Sequence, residues 1–298
     1  MNDTEQLIKE ALGQLAERTP HPGPTLNALR RKRKRQRNNI FLIATAGVAA
    51  VAVLVFGGLI ASDRYAPPIP NDAAAALVPV GSGEVSLKYA PHWLPEGFGE
   101  TSRTTNNAVT RVWSLADGKA SVVLTALGGM PETSGWDEVT VRGLKAWARV
   151  ADGAASVVWK AQDALDVSVR GVDDVRTVAL RVAESVRADA KATHRAPFKV
   201  EGKYADQMSG AAADRWDASL NVGSATVHVA TQKPELAAAE PVSVRGREGL
   251  RSGATVAVSD GGRWIWATSS AYSDRLVELV NEVELVSSAD ADWIGKGI

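Results

Sequence analysis

TRVWSLADGKASVVLTAL, residues 110–127, reads as strand, turn and strand, with the turn signalled by Asp117-Gly118. A second stretch, DRWDASLNVGSATVHVAT at 214–231, matches it. Working outward, Val139-Thr140-Val141-Arg142-Gly143 matches Val242-Ser243-Val244-Arg245-Gly246. Leu165–Val169 matches Trp264–Thr268, and DDVRTVALRVAESV (173–186) matches SDRLVELVNEVELV (273–286). Ordered matches with offsets between 99 and 105 residues define an internal repeat. Each copy reads as several alternating strands followed by a helix. Val175, Val178, Ala179 and Val182 in the first helix, and Leu276, Leu279, Val280 and Val283 in the second, recur at i, i+3, i+4, i+7. Such a stripe suits packing on a sheet. The fold class expected is therefore α+β, with two tandem antiparallel-sheet repeats, at 84–190 and 191–298, each closed by a C-terminal helix.

The 298-residue chain is neutral overall, with 34 basic and 34 acidic residues, but the charges are unevenly placed. Residues 1–39 carry nine Lys/Arg against four Asp/Glu, and residues 62–298 carry 25 against 30. Between them, Ile40–Ile60 is 21 residues without a charge, enough for a helix of roughly 31 Å. It reads as a transmembrane helix within 40–61. Arg30, Arg31, Lys32, Arg33, Lys34, Arg35 and Arg37 precede it, which predicts a cytoplasmic N-terminus, an extracytoplasmic C-terminal part and contact of these residues with anionic lipid. A single-pass plasma-membrane protein with an uncleaved signal anchor is expected. Residues 3–18 read as a short amphipathic helix whose Leu7, Ile8, Leu12 and Leu15 share a face. Thirty-nine residues cannot bury much core, so this stripe predicts a partner such as a cytoplasmic regulator. Residues 62–83, rich in Pro, Ala and Gly, read as a linker.

Nothing in the residue pattern points to catalysis. The chain has no cysteine, which removes disulfides, thiol nucleophiles and Cys-zinc sites. His21, His92, His194 and His228 form no metal-ligand pair, and His228 stands where the first repeat has Val123, an outward strand position. Asp173 and Asp174 open a helix and read as a cap rather than an acid–base pair. No P-loop, G-x-S-x-G or G-x-G-x-x-G occurs. No catalytic residue, cofactor, metal or nucleic-acid partner is expected. Nine tryptophans invite a glycan or lipid platform. Aligned with Leu165 and Val167, however, Trp264 and Trp266 read as core, leaving Trp93, Trp136 and Trp293 as surface anchors. The expected function is non-enzymatic binding or sensing of an extracytoplasmic protein, lipid or glycan.

Trp93-Leu94-Pro95-Glu96-Gly97-Phe98, then Val139–Gly143, then Val157-Val158-Trp159 and Leu165–Val169, then the helix ending Ala183-Glu184-Ser185-Val186, make an ordered set. Residues 90–187 in this order resemble the extracytoplasmic domain of anti-sigma-factor-like membrane proteins of high-GC Gram-positive bacteria. The second repeat carries the Val-x-Val-x-Gly step and the helix. The resemblance implies a sensing domain that relays occupancy to a cytoplasmic regulator.

Overall fold

The computed structural model describes residues 83–269, 271, 275–286 and 290–298. The stripe Leu7, Ile8, Leu12 and Leu15, the basic run Arg30–Arg37, the span Ile40–Ile60 and nearly all of the linker lie outside the described residues.

Alternating small and β-branched residues drive most of the described chain into strands. The first copy contains β1 (Glu84–Ser86), β2 (Tyr89–Pro91), β3 (Gly99–Thr104), β4 (Val109–Ser114), β5 (Ser121–Leu127), β6 (Asp137–Val141), β7 (Leu144–Ala151), β8 (Ala154–Lys160) and β9 (Ala164–Arg170), then helix α1 (Val175–Ser185) and β10 (Val186–Ala188). The second contains β11 (Thr193–Arg195), β12 (Phe198–Val200), β13 (Lys203–Tyr204), β14 (Gln207–Ala212), β15 (Arg215–Val222), β16 (Ala225–Ala230), β17 (Glu240–Val244), β18 (Arg247–Ser252), β19 (Thr255–Asp260) and β20 (Arg263–Ser269), then helix α2 (Leu276–Asn281) and β21 (Glu284–Leu285).

The copies do not form two separate sheets. One antiparallel sheet of 14 strands runs β17-β18-β19-β20-β16-β15-β14-β3-β4-β5-β9-β8-β7-β6. The order is palindromic: seven strands of one copy mirror seven of the other about the β14–β3 seam. The same pseudo-twofold relation recurs in a second layer, where β1 pairs with its counterpart β11 and Val85 lies opposite His194. In that layer β10 pairs with β2, and β12 pairs with β13 and β21. Each half has its own core. Val122, Leu124, Val157 and Val167 pack beneath Ala179 and Val182 of α1. Val227, Val229, Ile265 and Ala267 pack beneath Leu276, Leu279 and Val280 of α2.

The repeated Val-x-Val-Arg-Gly has a structural cause. Arg142-Gly143 and Arg245-Gly246 make the hairpin turns β6–β7 and β17–β18, with both residues of each turn at positive φ. The turn throws the arginine back over the C-terminal end of the helix. Arg245 Nη1 donates to the carbonyls of Val283 (2.7 Å), Val280 (3.2 Å) and Asn281 (3.2 Å). Arg142 Nη1 donates to the Val186 carbonyl at 3.2 Å. A cation thus meets the negative end of each helix dipole and takes up carbonyls that have no partner within the helix. At the other end of α1, Asp174 is the N-cap and accepts from the Thr177 amide.

Two expectations are corrected. Strands make up 52% and helices 8% of the described residues, so the class is mainly β rather than α+β with helix-closed repeats. The helical periodicity of the second copy continues to Val283, but α2 ends at Asn281 and Glu284–Leu285 return to a strand that pairs with β12. Sheet hydrogen bonding outcompetes a short helix there. The other correction concerns the single-pass plasma-membrane protein with a transmembrane helix. No helix among the described residues is long and apolar enough to cross a membrane. Their apolar residues alternate along strands or sit on helices of 11 and 6 residues, so no long apolar run forms.

Candidate functional site

The outer face of the sheet, away from α1 and α2, carries the side chains whose placement the core does not explain. In β20, Ile265 and Ala267 are fully buried in the core, and Trp264 and Trp266 therefore point outward, half-buried. The pairing confirms their side. Trp266 lies opposite His228 on β16 and Ala257 on β19, and Trp264 lies opposite Ala230 and Ser259. Ala257 and Ala230 are small outward residues at 0% and 3% exposure, absent from the core cluster.

Around the two rings the chemistry is polar. The His228 imidazole stacks on Trp266 with centroids 4.7 Å apart and planes 5° from parallel. Its Nδ1 lies 3.0 and 3.2 Å from the carboxylate oxygens of Asp217 on β15. With the carboxylate accepting, Nδ1 donates to Asp217, which leaves Nε2 as the ring's second polar atom. Ser219, directly opposite His228, makes no hydrogen bond to the ring. Lys233 Nζ stands 5.4 Å from the Trp264 centroid. In the first half the outer face carries Trp147, with Lys145 Nζ 5.5 Å from its centroid.

The expected assignment of the tryptophans is thus reversed. Matching Trp264 with Leu165 is one residue out of step, because Ile265 and Ala267 occupy the inward positions that Leu165 and Val167 occupy in β9. A one-residue slip moves a whole strand's side chains to the other face. The alternation of β16 held the correcting signal: Val227 and Val229 face in, His228 faces out, and Trp266 pairs with His228. Two of the three expected anchors move the other way, while Trp136 stays half-buried and outside both cores. Trp293 is 9% exposed within the second core, beneath the Arg103 guanidinium at 4.2 Å. Trp93 packs against the first core beneath Arg181 at 3.9 Å.

Two other polar groupings are structural. Glu100 on β3 accepts bidentate bonds from both Arg103 (2.9 and 3.0 Å) and Arg111 (2.8 and 2.8 Å), with all three side chains buried. The remaining arginine donors reach the carbonyls of Thr193 on β11 and Tyr89 on β2. The cluster therefore rivets the second layer to the sheet. Burial pushes the Glu100 carboxyl up, but hydrogen bonds from Arg111 and Arg103 outweigh it and hold the group below its ordinary range. In the shallow depression around Arg245, Arg247, Asp260 and Asn281, both arginines are likewise held internally, since Asp260 lies 3.1 Å from each. Among the described residues no three His, Asp or Glu side chains gather as a metal site.

No protein-family model and no curated protein matches the chain.

Proposed function

We propose that this protein is a non-enzymatic recognition module whose ligand docks on the outer face of the second half, around Trp264, Trp266 and His228. One observation carries the reading: two large aromatic rings and an Asp-oriented imidazole sit on a sheet face where alternation normally places small polar residues. They contribute nothing to the core. The 14-stranded sheet with a core under each half makes a stiff platform, so the rings are held in place before a ligand arrives. The resemblance of residues 90–187 to anti-sigma-factor-like proteins supports the same class of activity, recognition rather than turnover.

The test is binding of the full chain to four representative materials: insoluble wall polysaccharide, phosphatidylglycerol vesicles, single-stranded DNA and unfolded casein. At least one should retain the wild-type protein, with Trp266→Ala tenfold or more weaker and its circular dichroism unchanged. If Trp266→Ala matches wild type on every material, this face is not the recognition surface.

A further inference from the structure

The chemistry of this face selects among ligand classes, given that it is the recognition surface. We propose that it binds a neutral carbohydrate chain, with sugar rings laid on Trp264 and on the face of Trp266 turned away from His228, and hydroxyls hydrogen-bonded by His228 Nε2 and Asp217.

The face lacks what three other ligand classes need. A protein partner would need an apolar patch to desolvate, and the exposed large hydrophobics among the described residues are Met130, Leu144, Val150 and Ile298, none of them on these strands. A phosphate-bearing ligand would need a row of cations. Here Lys233 is the cation placed over one of the two rings, and Asp217 contributes a negative charge beside the other. A compact drug-sized molecule would need a cleft burying most of its surface, which one face of a sheet does not supply.

What the face offers is complementary to a sugar. A pyranose has C–H groups on its ring faces and hydroxyls around its rim. An indole supplies the apolar, electron-rich surface for the first. Asp217 accepts charge-assisted bonds from hydroxyls, and His228 Nε2 offers a second hydrogen-bonding atom, since a hydroxyl both donates and accepts. Nε2 has no bonding partner in the structure, although Asp217 fixes the ring's orientation through Nδ1 and Trp266 does so by stacking. Trp264 and Trp266 are two residues apart on one strand, so their attachment points are about 6.8 Å apart. Two successive rings of an extended chain can therefore each meet an indole. A carboxylate at the site disfavours uronic or phosphorylated sugars, so the class is neutral.

A printed array of neutral, amino-sugar and acidic oligosaccharides, probed with the full chain, tests this. The expected result is retention on one or more neutral chains of at least two sugars. Trp266→Ala should weaken it tenfold or more, and His228→Phe, which keeps the stack but loses Nε2, should weaken it to a smaller degree. Binding confined to acidic sugars, or equal binding by wild type and His228→Phe, overturns the proposal. So does silence on the array together with Trp266-dependent capture by vesicles, DNA or casein, an outcome that would keep this face as a recognition surface for a different ligand. Silence on the array and no Trp266 dependence on any material overturns both readings.

Discussion

His194 sits on the pseudo-twofold axis, opposite Val85, and is 2% exposed. Its Nε2 lies 3.3 Å from the Ala205 carbonyl, and its buried Nδ1 has no hydrogen-bond partner. The ring is therefore held neutral, as an Nε2–H donor with an unfilled acceptor. Burial, reinforced by the nearby Arg103 charge, pushes its pKa down from 6.5 to about 4. Below pH 6.5 the unfolded chain takes up a proton that the folded one refuses, so stability is complete above 6.5 and falls as the pH drops to about 4, by about 1.4 kcal/mol per pH unit. Glu100 acts in the same direction at lower pH. Its stabilisation is present above its ordinary value of 4.5 and is lost as pH falls through its depressed folded value. His194→Val should flatten the slope between pH 6.5 and 4 in urea titrations, with neutral-pH stability changed by no more than about 1 kcal/mol, since it removes an unsatisfied buried atom along with a weak bond. An unchanged slope would show that another group titrates there.

At the scale of elements, the turn and the helix act as one unit. Gly246 has φ of 68° with nothing within 4 Å of an added Cβ, so its requirement is purely conformational. Its neighbour Arg245 holds three carbonyls at the C-terminal end of α2. A helix of six residues has little stability of its own and depends on such end contacts and on packing. Arg245→Ala should cost about 1–2 kcal/mol in chemical denaturation. Arg245→Lys should recover only part, because an ammonium placed on the carbonyls gives up the second contact of the guanidinium, from Nε to the Asp260 carboxylate at 3.1 Å. If Lys restores everything, charge alone accounts for the contact. The Val-x-Val-Arg-Gly motif was legible in the sequence in both copies, but its role was not, because the arginine's targets lie 35 to 38 residues further on.

For the whole molecule, the question is what joins the halves. The β3–β14 pairing covers only three residue pairs, Ser102–Ser209, Arg103–Met208 and Thr104–Gln207. The C-terminal segment extends the seam. Gly295 donates its amide to the Glu100 carbonyl and Lys296 accepts from the Glu100 amide, both at 2.8 Å. This segment belongs to the second copy and bonds to a strand of the first. Gly99 permits the approach, since a Cβ there would lie 2.6 Å from the Gly295 carbonyl oxygen. Trp293 anchors the strap in the second core, with Arg103 of β3 stacked on it. Trp293→Ala should lower stability by about 3 kcal/mol or more while keeping one cooperative transition, because the strap belongs to both halves. Two separate thermal transitions in the wild type would show that the halves fold independently and that the seam does not couple them.

The repeat, the hairpin turns at Asp117-Gly118 and Asp152-Gly153, the cap at Asp174 and the exclusion of cysteine chemistry were readable from the residues alone, whereas the strand that follows each helix was not. The readable features are local patterns, set by period, turn residues and composition. That the two copies share one sheet appears only in the folded chain, because edge-to-edge pairing is made by backbone groups and leaves no mark in the side-chain pattern. The same holds for Glu100, which bridges two arginines, one of them eleven residues away. The tertiary structure also decided the side on which Trp264 and Trp266 lie. In a strand of period two, an alignment one residue out exchanges core and surface, and only the hydrogen-bonded register with β16 and β19 distinguishes them.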